Sequence, residues 1–329
     1  MALPRLEDIR EARRMIGGYV HRTPQVSGSP LRDLLGTRVS LKLELLQKTG
    51  SFKPRGAFNQ VIGLPEEARA GGVVGVSGGN YAQGLAFAGH HLGVPTRILM
   101  PQGTPANYVD ATRGYGAAVE FAADVAAAFA RAEELEADGA TFLHPFDDPR
   151  MMAGNGTLGL ELLEDAPDVT DVFVSIGGGG LMSGVAVAIK EQRPGVRVWG
   201  VETEGADAMA RALAAGGIVR IQPTSIAKTL GAPWVSTDTL TAARRYLEDV
   251  IVVSDAEAFA GIDALLHRSK VVVEPAAGCT LAAARRVAPR LGEHVVLILC
   301  GGNVSLADLT DWRERFGPSG WGLVTDPAP

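Results

Sequence analysis

The 329-residue chain has only two cysteines, Cys279 and Cys300, too few and too scattered for a disulfide framework or a zinc site. Such sparing use implies a reducing, cytoplasmic setting. Positive charge is not in excess: 31 lysines and arginines face 37 aspartates and glutamates, and no basic stripe marks a nucleic-acid partner. Anionic ligands must then be held locally. No apolar stretch is long enough to span a membrane, so no membrane partner is expected. The start, Met1-Ala2-Leu3-Pro4-Arg5-Leu6-Glu7-Asp8, lacks the basic-then-apolar order of a signal peptide. Histidines lack ligand spacing, since His90 and His91 are adjacent and His21, His144, His267 and His294 stand alone. No Gly-x-Ser-x-Gly turn supports serine-hydrolase chemistry, and no repeat or low-complexity segment occurs.

Hydrophobic residues, at 46%, are plentiful enough for a large core in two domains, or in one with a sizeable subdomain. From about Gly71 short apolar runs alternate with helical patterns: Val73 to Val76, Thr96 to Met100, Ala118 to Phe121, Val172 to Ile176, Val196 to Val201, Val250 to Val253 and Val295 to Leu299. Runs of this kind, separated by helix-length segments such as the Ala-rich stretch Ala122 to Asp138, predict an α/β architecture with a parallel sheet covered on both faces. Residues 67–147 form one block, and His144-Pro145-Phe146-Asp147-Asp148-Pro149 marks the return to a larger one made of 1–66 and 148–329. The Pro- and Gly-rich tail beyond Gly317 is expected to be loosely ordered.

One lysine stands out. Lys53, in Thr49-Gly50-Ser51-Phe52-Lys53-Pro54-Arg55-Gly56, lies between an aromatic residue and a proline just past a turn, a poor place for a solvated charge. Burial and a cationic neighbour such as Arg55 are expected to lower its pKa and leave the neutral amine that Schiff-base chemistry requires. The alternative is a helix-start lysine whose stem packs on Phe52.

Further along, Ile176-Gly177-Gly178-Gly179-Gly180-Leu181 follows one apolar run and precedes a helical pattern. Glycines at a strand-to-helix turn free backbone amides to meet an anion, with the helix N-terminus adding partial positive charge. The run suits a phosphate, although it matches neither a nucleotide P-loop nor the Gly-x-Gly-x-x-Gly spacing; a tight turn without ligand is the alternative. Ser77-Gly78-Gly79-Asn80-Tyr81 suits a carboxylate, or a helix capped by Ser77 or Asn80. Cys300 ends the last strand, where ligands of open α/β sheets sit, although a buried cysteine there is common. Glu274 ends what reads as another apolar strand, Val271 to Val273, and its simplest isolated role is a cap for the next helix.

In combination, Ser-Phe-Lys, Ser-Gly-Gly-Asn, four glycines, Glu-Pro and Cys-Gly-Gly-Asn, in that order, resemble the fold type II pyridoxal 5′-phosphate enzymes, within them the threonine/serine dehydratase and serine racemase group. The resemblance covers about residues 5 to 312. It implies two open, twisted, mostly parallel sheets flanked by helices, with 1–66 and 148–329 as the large cofactor-binding domain and 67–147 as the small one. It makes Lys53 the lysine that carries pyridoxal 5′-phosphate and removes the substrate Cα proton. Phe52 would pack on the pyridine ring, Asn80 would bond the ring hydroxyl, and Gly177, Gly178, Gly179, Gly180 and Leu181 would hold the phosphate. Cys300 would face the ring nitrogen, and Glu274 belongs to the same cofactor set. Ser77, Gly78, Asn80 and Tyr81 would receive the substrate carboxylate.

The implied activity is elimination of water from a 3-hydroxy amino acid, L-threonine or L-serine, giving a 2-oxo acid and ammonia. The implied assembly is a homodimer with no metal. An amino-acid racemase on the same framework, or a phosphate-ligand sensor without catalysis, are the alternatives.

Departures from the group's pattern matter too. Racemases carry a serine where this chain has Gly78, which favours elimination. Metal-activated members carry an acidic residue six positions after the match to Glu202, where this chain has Ala208, leaving Glu202 and Asp207 as a weak oxygen pair or a surface acidic cluster. Lys228 and Thr229 replace an acidic residue and glycine, and Tyr81 replaces histidine. Those changes point to a side chain other than that of serine: threonine, phenylserine or 3-hydroxyaspartate.

Overall fold

The computed structural model describes residues 3–321. Its strands are β1 (Gln25–Ser27), β2 (Arg38–Leu43), β3 (Val73–Val76), β4 (Thr96–Pro101), β5 (Ala118–Ala122), β6 (Thr141–Phe142), β7 (Asp171–Ser175), β8 (Arg197–Thr203), β9 (Asp249–Val253) and β10 (His294–Leu299). They form two sheets, ordered β1-β2-β10-β7-β8-β9 and β5-β4-β3-β6. Every pair is parallel except β1 with β2. The α/β architecture with two mainly parallel sheets flanked by helices is therefore present.

The seven apolar runs all form strands, and β3, buried at every position, shows the continuous apolar pattern that burial on both faces of a parallel sheet requires. Strands β7 and β10 are buried along their whole length. Beneath them the helices Pro149–Asp165 and Gly180–Lys190 approach closely. A Cβ on Gly184 would lie 2.0 Å from the Met152 carbonyl oxygen, and one on Gly159 2.9 Å from Ala188 Cβ. Apolar packing under the smaller sheet also draws on Ile16, Ala57, Phe58, Val61 and Met151.

Two expectations are corrected. Val271 to Val273 is not a strand: Lys270 turns with φ +61 after the Leu265–Ser269 turn, and β10 already has β2 and β7 on its two sides. The tail is not loose as far as Trp321: Ser319 Oγ donates to Asp263 Oδ2 at 2.6 Å, and Arg285 lies 4.4 Å over the Trp321 ring. The rest of the tail expectation, 322–329, falls outside the described residues. Among the described residues no helix is long and apolar enough to cross a membrane.

Candidate active site

A cavity of about 330 Å³ opens where β3, β7 and β10 end, at the carboxyl edge of both sheets. Lys53, Ser77 to Tyr81, Gly177 to Leu181, Glu274 and Cys300 all line it, together with Phe52. Residues separated by more than two hundred positions thus meet in one place.

Lys53 begins the helix Lys53–Ile62, with Pro54 fixing the first turn. Two backbone contacts hold it against the end of β10: Phe52 N donates to the Cys300 carbonyl at 3.1 Å, and Ser51 bridges Gly301. Gly84 on the facing helix admits it, since a Cβ there would lie 2.9 Å from Lys53 Cβ. Its Nζ stands 5.0 Å from the Phe52 ring centroid and 5.5 Å from that of Tyr81. Burial lowers the Lys53 pKa to about 8, against the opposing pull of Cys300 and Glu274. Arg55 is no part of that shift, because its guanidinium turns away to Glu44 and Glu161.

The glycine run forms a turn of unpaired backbone amides. Among the described residues no acceptor takes the amides of Gly177 to Leu181, and the helix Gly180–Lys190 starts directly behind them. Gly179 has φ +95, where a side chain is strained and its Cβ would lie 2.6 Å from Thr239 Cβ. On Gly178 a Cβ would meet the Phe146 ring at 2.2 Å. Only glycine fits these positions. A doubly charged phosphate satisfies the free amides, and a nearby amine of lowered pKa suits an aldehyde; the residues fit pyridoxal 5′-phosphate.

Neither Ser77 nor Asn80 caps a helix. Gly79 occupies the N-cap of the helix Asn80–Leu92, and Ser77 Oγ accepts from Gly79 N at 3.1 Å. The amides of Gly78, Asn80 and Tyr81 find no acceptor among the described residues. A Cβ on Gly78 would lie 2.6 Å from Thr104 Oγ1. Tyr81 gives its ring to the cavity, while its hydroxyl faces the interior beside Gln60 Oε1 and the Leu143 carbonyl, 3.0 Å from each.

Glu274 occupies the N-cap of the helix Pro275–Arg286, but its side chain makes no capping bond. Its carboxylate accepts from Asn80 Nδ2 at 2.9 and 3.0 Å and from Thr229 Oγ1 at 2.8 Å, and burial raises its pKa. Asn80 Oδ1 in turn accepts from Asn303 Nδ2 at 2.7 Å. Cys300 is buried, with Ser175 Oγ donating to its Sγ at 3.4 Å, and burial pushes the thiol pKa up so that it stays neutral.

Sequence reasoning gave no site role to Ser175, Asn303, Thr104 or Gly84. Two of them had a local signal: Asn303 closes the Cys-Gly-Gly-Asn motif, and Ser175 stands in the apolar run just before the glycines. Glu202 is buried rather than part of a surface cluster. It accepts from Met209 N and Ala210 N, each at 2.8 Å, and burial raises its pKa to about 8.

This geometry defines an enzyme cavity built around a lysine and a phosphate cup. Residues 16–301 match the family described as pyridoxal-phosphate dependent enzyme, and the chain belongs to that family. It is 41% identical over 308 residues to an L-threonine ammonia-lyase of Thermotoga maritima, covering 92% of this chain and 76% of that one. It is 40% identical over 311 residues to a phenylserine dehydratase of Ralstonia pickettii, covering 93% and 95%. Among solved structures, maize serine racemase superposes with a TM-score of 0.89 at 34% identity, covering 95% of this chain and 97% of that one. The T.th. threonine deaminase gives 0.87 at 38%, covering 92% and 99%.

Proposed function

We propose that the protein is a pyridoxal-phosphate-dependent ammonia-lyase acting on L-threonine and L-serine, releasing a 2-oxo acid and ammonia. The observation that carries this reading is Lys53: an amine with a pKa of about 8, lining the same cavity as the free amides of Gly177 to Leu181. Held there by its phosphate, the cofactor supplies an electron sink that weakens the Cα–H bond.

The chain's own groups do the rest. Lys53 Nζ takes the Cα proton, and its lowered pKa leaves a usable neutral fraction near pH 7, where a solvated lysine has almost none. The substrate carboxylate meets the amides of Gly78, Asn80 and Tyr81, and Ser77 keeps its own hydroxyl proton to donate. Asn80, steadied by Glu274 and Asn303, would hold the cofactor's ring hydroxyl, and Phe52 would pack on its ring. The neutral Cys300 thiol would meet the ring nitrogen without the charge an aspartate would bring. On the opposite face Gly78 offers no acid, and Thr104 leaves no room for a side chain. Elimination is thereby favoured over racemisation.

The block 1–66 with 148–329 holds the cofactor, and 67–147 forms the smaller domain. A homodimer belongs to the same proposal, supported by the exposed Leu46, Val272 and Leu306. Two buried free thiols, Cys279 and Cys300, support a reducing, cytoplasmic setting.

The test is a panel of L-serine and L-threonine given to protein loaded with pyridoxal 5′-phosphate, following 2-oxo acid, ammonia and the chirality of what remains. Equal amounts of 2-oxo acid and ammonia are expected. Interconversion of L- and D-serine faster than pyruvate release would replace elimination by racemisation, and protein that binds no cofactor would remove the reading altogether.

A further inference from the structure

One wall of the cavity has no task in elimination from serine or threonine. The helix Val125–Ala137 starts at the rim, and Val125 and Phe129, four residues apart and so on one face, both line the cavity. Phe129 is half-buried, and its ring centroid lies 5.3 Å from that of Trp234 and 5.5 Å from that of His144. His144 in turn meets Phe146 edge-on at 4.5 Å. This aromatic group adjoins the lysine, since the Leu143 carbonyl beside His144 lies 3.0 Å from the hydroxyl of Tyr81, whose ring faces Lys53 Nζ. Pro145 continues the wall. His144 adds no charge to it: burial lowers its pKa to about 4, and its Nδ1 accepts from Asp147 N at 2.8 Å. Of this group Phe129 and Phe146 line the cavity; a threonine methyl covers little of an aromatic face, whereas a planar ring packed on Phe129 removes far more apolar surface from water.

We propose that the preferred substrates are 3-hydroxy amino acids bearing an aryl group on C3, with that ring packed on Phe129 between Val125 and Pro145. This rests on the ammonia-lyase reading and moves the preferred substrate, within the same reaction, from threonine and serine to their C3-aryl counterparts. The chemistry is unchanged. The C2–H and C3–OH bonds break with loss of one water, and hydrolysis at C2–N returns one, so phenylserine gives phenylpyruvate and ammonia with no oxidant. Lys228, the one cation besides Lys53 among the lining residues described, is exposed on the Lys228–Leu230 turn, where its amine stays hydrated.

The experiment compares kcat/KM for L-threo-phenylserine, L-threonine and L-threo-3-hydroxyaspartate on the holoenzyme. Phenylserine is expected to exceed threonine by about tenfold or more. Phe129→Ala lowers the phenylserine value about tenfold more than the threonine value. Val125→Asp, in a first helical turn where an acidic residue is well tolerated, shifts the ratio in the same direction. A purely structural role for either residue would lower both substrates alike. Equal or better turnover of threonine, or ratios unmoved by both variants, overturns the inference and leaves the ammonia-lyase reading standing. So does a preference for 3-hydroxyaspartate that is lost in Lys228→Ala. Inactivity toward all three compounds overturns that reading and the inference with it.

Discussion

Lys53 and Arg55 start the same helix, two residues apart, and their surroundings push them in opposite directions. Arg55 is fully buried, and burial alone would lower its pKa. Glu44 and Glu161 outweigh it, so the pKa rises instead. The guanidinium donates to Glu44 at 2.8 and 2.9 Å, to Glu161 at 2.7 and 2.9 Å and to Thr157 at 3.1 Å. Lys42 completes the group at 2.7 Å from Glu161 and also reaches Asp165 at 3.7 Å, so each buried carboxylate faces a cation. Lys53 has no such partner. Its nearest opposing groups are a neutral thiol and a carboxylate whose own ionisation burial disfavours. A buried charge that is matched becomes inert structure, and one left unmatched becomes reactive.

The broadest way to break this contrast is to exchange the consequences of losing each residue. Lys53→Ala should abolish ammonia-lyase turnover by about 10⁴-fold or more while leaving the cofactor-free protein as stable as the parent or more so, because it removes an unpaired amine. Arg55→Met should do the reverse in kind. It leaves Glu44 buried with Thr23 as its one remaining side-chain donor, and costs about 3–5 kcal/mol in a urea unfolding series. A stable Arg55→Met protein would show that the matched cluster does not hold the helix. An unfolded Lys53→Ala protein would make Lys53 structural.

How far each side of the contrast could be read in advance differs for physical reasons. Lys53 and the glycine run were legible because the backbone there tolerates few residue types: Gly179 needs φ +95, and Pro54 fixes a helix start. Continuous apolar runs gave the buried parallel strands, with Val73–Val76 matched at both ends. β2 (Arg38–Leu43) alternates polar and apolar residues and escapes a search for continuous runs, while β1 and β6 have three and two residues and little pattern at all. Arg55 reads as a helper of Lys53 when only proximity in sequence is visible. Its partners Glu44 and Glu161 lie 11 and 106 residues away, so no local signal could assign them. The same holds for Thr229 with Glu274, 45 residues apart, and for Asn303 with Asn80, 223 apart.

A finer test addresses the amine itself. Below its pKa of about 8 Lys53 is protonated and cannot attack an aldehyde, so the rate at which cofactor-free protein captures pyridoxal 5′-phosphate should climb with pH and level off above about 8. An ordinary lysine would keep climbing toward about 10.4. Stopped-flow absorbance of the forming holoenzyme reads the midpoint directly. A midpoint near 10 would mean that water reaches Lys53 freely and that the contrast with Arg55 rests on geometry alone.

The smallest expected effect is the most diagnostic. Glu274 pulls the Lys53 pKa upward while burial pulls it down, so Glu274→Gln should move the capture midpoint below 8 by less than about one unit. The glutamine oxygen can still accept from Asn80 and Thr229, and the replaced charge was one that burial disfavoured, so stability should change by no more than about 1 kcal/mol. Glu44→Gln in the matched cluster should cost several times that, since it strands part of the Arg55 charge. If the two glutamine variants proved equally stable, the cavity would be as tightly matched as the cluster. Lys53 would then owe its lowered pKa to something other than the lack of a full-strength partner.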